Sequence, residues 1–237
     1  MSGDTMIFSR LRSYLRERKF GVLFLEFVIL VVGVYLSLQA NQWQNNRQNR
    51  AIEQQYLVRL EKDFERSSTA LSESIARIEL SIEKLELSLV ILSNERREEG
   101  DYQKLFDAMQ SSSIMGSFEV YLATFEELKD TGYMRLLEST ELRESLGNVW
   151  QKHVTVSRAS EIRNMLRGNA LPIMAKYVKP LSGNKLTFDA ELMEKDPREI
   201  YVAMSIIRSN LRYDLNDSEQ LLTLVDQTLD IVQTQVE

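Results

Sequence analysis

The 237-residue sequence has no cysteine, one histidine, three prolines and nine glycines. The absence of cysteine excludes disulfides, thiolate metal sites and a cysteine nucleophile, and leaves the redox compartment open. A single histidine, His153, excludes a histidine-rich metal site and the H-E-x-x-H arrangement. The glycines are scattered, so no glycine-rich loop is available to cradle a phosphate, and no serine sits in a G-x-S-x-G elbow. Acid pairs such as Glu98–Glu99 and Glu126–Glu127 read as solvated neighbours, and the acids do not converge at metal-ligand spacing. A net charge of −6, without interleaved basic and aromatic residues, argues against nucleic acid as a partner. The sequence therefore predicts no catalytic residue, no cofactor and no metal. The scarcity of proline and glycine favours long helices.

What the sequence does contain is a long apolar run, residues 20–40, with only Glu26 and Gln39 strongly polar. About 20 helical residues span a bilayer core of about 30 Å. A cleaved signal peptide would have a shorter apolar region followed by a small-x-small site, and Leu38 two positions before Ala40 fits that poorly. The run predicts a retained anchor. Arg10, Arg12, Arg16, Arg18 and Lys19 precede it, whereas Arg47 and Arg50 follow closely. That asymmetry predicts a cytoplasmic N-terminus and an exported C-terminal part, periplasmic for a bacterial inner membrane protein. Tyr35 and Trp43 suit the outer membrane interface. Residues 1–19 form a basic cytoplasmic segment, with Ile7, Phe8, Leu11 and Leu15 spaced for an interfacial helix or serving only as flanks of a topology signal.

Glu26 is the most specific feature of the run. At 100° per residue, Glu26, Gly33, Ser37, Ala40 and Gln44 lie near one direction of a helix. Small residues at this spacing let helix backbones approach. Two readings of the acid follow. It is a protonated, hydrogen-bonding device in assembly with another copy or another membrane protein, or it is a proton or ion site.

Residues 41–56 read as a polar helical neck, and residues 57–237 as an exported helical bundle. An apolar seam, with Leu57, Leu60, Phe64, Leu71, Ile75 and Ile78 continuing to Leu92, follows near-heptad spacing with one stutter between Leu71 and Ile75, and Ser67 is its weak position. Further helices are expected over 102–110, 118–130 with Gly132 as its stop, about 140–178 with Ser139 or Thr140 as cap, and 197–235 with Asp196 as cap and Pro197 in the first turn. Pro172 is expected to kink the third of these or to open a new first turn, 179–189 to be a loop, and 216–219 to allow a local break. No strand alternation is evident. The predicted class is all-α: an N-terminal transmembrane helix continuing into a long helix, with an elongated antiparallel bundle outside the membrane.

The segments FLEFVILVVGVYLSLQANQWQNNR, YLVRLEKDFERS and TFEELKDTGYMRLLESTELRESLGNVW together resemble a family of bacterial single-pass membrane proteins of unknown function. The family pattern is an early acid in the membrane helix, an L-Q-x-N-x-W exit, a long helix, then T-[YF]-E-x-L-K-x-[ST]-G and a short helix with E-L-R. Glu26, Gln39, Asn41, Trp43, Phe125, Leu128, Gly132, Leu142 and Arg143 match it here. The resemblance covers about two thirds of the chain and assigns no activity. The membrane run and its stripe imply as partners a lipid bilayer and, through the transmembrane helix, another copy or other membrane proteins. The mid-chain motif reads physically as a tight corner packed into the bundle, or as a contact for a ligand or partner. From the whole sequence the expected function is a non-enzymatic membrane scaffold, sensor or accessory subunit. An ion-coupled complex component using Glu26 with a multi-span partner is the alternative, and a hydrolase with an unrecognised site the least supported.

Overall fold

The structure, a computed structural model, describes residues 20–112, 118–181 and 185–236. The expected interfacial helix in residues 1–19 lies outside the described residues. The chain divides into two compact units, residues 1–53 and 54–237. The fold is all-α, with six α-helices among the described residues: α1 (Phe20–Ser93), α2 (Glu99–Ser111), α3 (Ala123–Asp130), α4 (Thr140–Ala175), α5 (Ala190–Lys195) and α6 (Arg198–Val236). In the first unit the apolar stretch of α1 is exposed from Phe24 to Ala40.

The second unit is a bundle built from the rest of α1 with α4 and α6. Its seam on α1 is an unbroken heptad. One stripe carries Leu57, Phe64, Leu71, Ile78, Leu85 and Leu92; the other carries Leu60, then Ser67, Ser74, Ser81 and Ser88, and every one of these residues is buried. This corrects the expected stutter. Ile75, Ile82 and Leu89 flank the seam one position on, and the seam itself continues through serine. Three of the hydroxyls are satisfied by the preceding turn: Ser67, Ser81 and Ser88 donate to the carbonyls of Asp63, Arg77 and Lys84 at 2.7–2.8 Å. A buried hydroxyl bonded to its own helix costs little and demands less room than leucine.

The other long helices follow the same period, at 142, 146, 149, 153 and on to 174 in α4, and at 200, 204, 207, 211 and on to 232 in α6. Antiparallel register between α1 and α6 is set by Gln54 with the Gln235 carbonyl (3.3 Å), Ser68 with Asp226 (2.6 Å) and Glu86 with Arg212. Between α4 and α6 it is set by Ser145 with Thr228 (2.6 Å) and Lys152 with Asp217 (3.2 Å). One apolar cluster joins the end of α1 (Ile78 to Leu92) with α2, Met174, Tyr177, Phe188, Met193 and the first turns of α6.

Four further expectations need correction. Residues 178–188 are not simply a loop: β1 (Val178–Leu181) and β2 (Lys185–Phe188) pair antiparallel, with Val178 opposite Phe188. The hairpin is fastened by Phe188, which is buried and stacks on Tyr177 with ring centroids 6.2 Å apart. The helix expected from Phe118 starts at Ala123, because Phe118 and Leu122 are buried by a non-helical approach to it. Pro172 lies inside α4, which runs on to Ala175, so the reading of a new first turn at Pro172 is overturned. No break occurs at 216–219, since Ser218 faces the core of an uninterrupted α6.

The caps follow the sequence. Ser139 Oγ accepts from Leu142 N at 3.0 Å, and Asp196 accepts from Arg198 N at 3.3 Å. Gly132 has φ +73°, the left-handed conformation that ends α3. Gly132→Ala is expected to lower the unfolding free energy by about 1–2 kcal/mol, because a Cβ is strained there although space is open around it. Urea denaturation of the purified chain, beside Gly132→Asn as the milder change, measures this.

Candidate functional site

The stripe on α1 is helical and exposed at Glu26, Gly33, Ser37, Ala40 and Gln44. Ser37 Oγ donates to the Gly33 carbonyl at 2.9 Å, and a Cβ added at Gly33 would meet nothing within 4 Å. Gln39 Nε2 donates to the Tyr35 hydroxyl at 2.8 Å, one turn away. The Arg47 guanidinium lies 5.8 Å from the Trp43 ring centre. Asn41 is exposed. Ser37, Gln39 and Arg47 are thus tied to neighbours on their own helix.

The mid-chain motif forms a corner clasped to α1. Phe125 and Leu128 on α3 are buried, as is Leu142 at the start of α4. Asp63 on α1 accepts from both the backbone N (3.2 Å) and the hydroxyl (2.6 Å) of Thr124, so it caps α3 from another helix. Glu127 accepts from Tyr56 at 2.8 Å and from Arg59 at 2.5 Å. The Arg59 and Tyr56 hydrogen bonds hold the Glu127 carboxyl below its ordinary range, and the same bond raises the Tyr56 phenol. Arg143 reaches back to the Leu137 and Glu138 carbonyls and to the Thr140 hydroxyl, closing the return into α4. An open groove of about 480 Å³ runs beside this corner, lined by Glu65, Glu73, Glu119 and Tyr121, with Arg66 4.1 Å from the Tyr121 ring centre.

A third constellation escaped the sequence reading. Asp214 on α6 is fully buried and binds two arginines of α4, Arg163 at 2.5 Å through one oxygen and Arg167 through the other. Arg163 also reaches Asp217 at 2.8 Å, and Lys152 joins Asp217 and Gln220. The signal was available in the heptads, since Arg163, Arg167 and Asp214 each occupy a core position of their helix. His153, one of those core positions on α4, is half-buried, and burial lowers its pKa against a smaller opposing pull from Glu126.

At the far end, Arg97 donates to the Ile91 (3.2 Å) and Leu92 (2.8 Å) carbonyls, closing the end of α1, and pairs with Glu194 at 3.1 Å. Tyr102 donates to the same carboxylate at 2.9 Å. Among the described residues no group of three or more His, Asp or Glu side chains is placed to hold a metal ion. In comparisons with family models, curated proteins and solved structures, nothing matches the chain.

Two outcomes follow from the core ions. Asp214→Ala is expected to cost about 3–5 kcal/mol, because the buried carboxylate that joins Arg163 and Arg167 is removed inside the bundle. The combination of Asp214→Leu with Arg163→Met and Arg167→Leu should recover all of that loss. Chemical denaturation of the three proteins tests both. For His153 the folded pKa lies below the ordinary 6.5. The unfolded chain therefore takes up the proton first, and stability is full above pH 6.5, falls as pH drops below it, and levels off under the folded pKa. Denaturation midpoints between pH 7.5 and about 5 should show this slope in the wild type. They should show a smaller slope in His153→Leu.

Proposed function

We propose that the protein is a non-enzymatic, membrane-anchored helical scaffold, sensor or accessory subunit. In this reading residues 20–40 cross a bacterial inner membrane, the N-terminus is cytoplasmic, and the bundle is periplasmic. The observation that carries it is the apolar stretch of α1: among the described residues α1 is the one helix long and apolar enough to cross a membrane, and its apolar window buries none of its residues within the chain. Lipid supplies the missing cover. The bundle supports a structural rather than a chemical role, because its strongest polar contacts, at Asp63, Glu127 and Asp214, are each spent joining one helix to another. Assembly with another copy or another membrane protein runs through the Glu26, Gly33, Ser37, Ala40 and Gln44 face. A reporter active only after export, fused after Glu237, is expected to be active. An inactive export reporter with an active cytoplasmic one would reverse the orientation, and extraction of the protein from membranes by alkaline carbonate would remove the anchor.

The second reading, an ion-coupled subunit with a multi-span partner, rests on Glu26 itself, a carboxylate within that stretch. The two separate in one mutant series. If the acid is a neutral hydrogen-bonding group, Glu26→Gln keeps assembly and function, while Glu26→Leu loses a contact worth about 0.6–2 kcal/mol. If it carries ions, Glu26→Gln assembles normally and is inactive. Co-purification and cellular phenotype, scored for both variants, decide between them.

A further inference from the structure

Midway along the bundle the core turns polar on all three long helices at once. Ser74 and Ser81 on α1, Ser160 and Arg167 on α4, and Asp214 and Ser218 on α6 are all buried at core positions. The apolar cluster stops at the edge of this stretch, ending with Ile78, Ala170 and Leu211. The Ser68–Asp226 and Glu86–Arg212 pairs fix the register of α1 against α6, and bring Ser74 and Ser81 level with the stretch around Asp214 and Ser218.

Among the polar atoms shut away from solvent with no protein partner are Ser218 Oγ, Asn210 Nδ2 and Asn164 Oδ1. Ser218 is fully buried and Asn210 is 7% exposed. Asn210 and Ser218 stand one turn before and one turn after Asp214 on α6, and Asn164 sits beside Arg163 on α4. Native cores rarely leave such atoms unmet, because a buried donor or acceptor without a partner forfeits its hydration. The mixture is informative. A serine hydroxyl both donates and accepts, and each carboxamide carries a donor end and an acceptor end. An anion would satisfy the donors alone and a cation the acceptors alone. Water satisfies both. A serine side chain is smaller than that of Leu60 in the same stripe, and a water occupies about 30 Å³. Ser81 already donates to Arg77 O at 2.8 Å, so its lone pairs remain able to accept.

We propose that this layer is a binding site for a small cluster of ordered water molecules, enclosed by α1, α4 and α6 and held by Ser218, Asn210 and Asn164 around the Asp214–arginine pair. The bundle then has a hydrated ionic layer between two apolar stretches. The waters complete the hydrogen bonding that lets the ions stay buried.

The test is a crystal structure of the full-length protein in detergent, at a resolution that shows ordered solvent, paired with thermal unfolding of Ser218→Ala. The expected result is one ordered water within about 3.2 Å of Ser218 Oγ and another within about 3.2 Å of the Asn210 carboxamide. A melting temperature lowered by about 2–4 °C in Ser218→Ala, for the loss of a bonded hydroxyl, is expected with it. Electron density that pairs these atoms with protein groups, or surrounds them with apolar atoms alone, overturns the proposal. So does a raised melting temperature in Ser218→Ala, the signature of a hydroxyl that was buried dry.

Discussion

The serine stripe on α1 is the constraint from which the bundle is arranged. A heptad seam normally draws its stabilisation from large apolar groups on both stripes, each worth about 1.5–3 kcal/mol when buried. Here one stripe keeps them and the other gives them up at Ser67, Ser74, Ser81 and Ser88. The loss is partly offset because three of these hydroxyls bond within α1, and because small side chains allow neighbouring groups to reach across. Ser67 shows the second effect directly. Its oxygen also accepts from Tyr121 N at 2.8 Å, tying the approach to α3 onto the seam. Leucine at that position would remove the acceptor and fill the space the backbone occupies.

With less apolar area on α1, specificity shifts to polar contacts between helices. Asp214 and its two arginines are the clearest case. Burying three ions is expensive, and a well-packed apolar replacement is often at least as stable. What the ions supply is a single register: a shift of α4 along α6 by one turn leaves a charge without its counter-charge. The outer pairs Ser145–Thr228 and Lys152–Asp217 agree with the same register. Helices with long, even heptads are those most prone to slip, since every seven-residue shift restores much of the apolar match. Polar residues at core positions break that degeneracy.

Much of the fold was legible in the sequence, and the misses share a cause. The apolar run, the long helices, the Ser139 and Asp196 caps and the Gly132 stop each depend on local chemistry, and each was found from neighbouring residues alone. In the heptad of α1 the apolar residues alone mislead, because they put Ile75 in the seam where Ser74 belongs. Arg163, Arg167 and Asp214 carry no apolar signal, and only the period of their own helices places them in the core. The hairpin at 178–188 was invisible for another reason: its strands are four residues each, too short for alternation, and the pair is fastened by a tertiary contact, Phe188 on Tyr177.

The mid-chain motif explains how a pattern can be distinctive without naming a reaction. Thr124 is held by Asp63, Glu127 by Tyr56 and Arg59, and Arg143 by carbonyls of the turn. Phe125, Leu128 and Leu142 are buried, and Gly132 is required by its left-handed backbone. Each of these residue types is needed at its position to make one corner, so the pattern can recur wherever that corner recurs. In this corner Asp63 and Glu127 each accept from two groups. The motif therefore fastens α3 to α1.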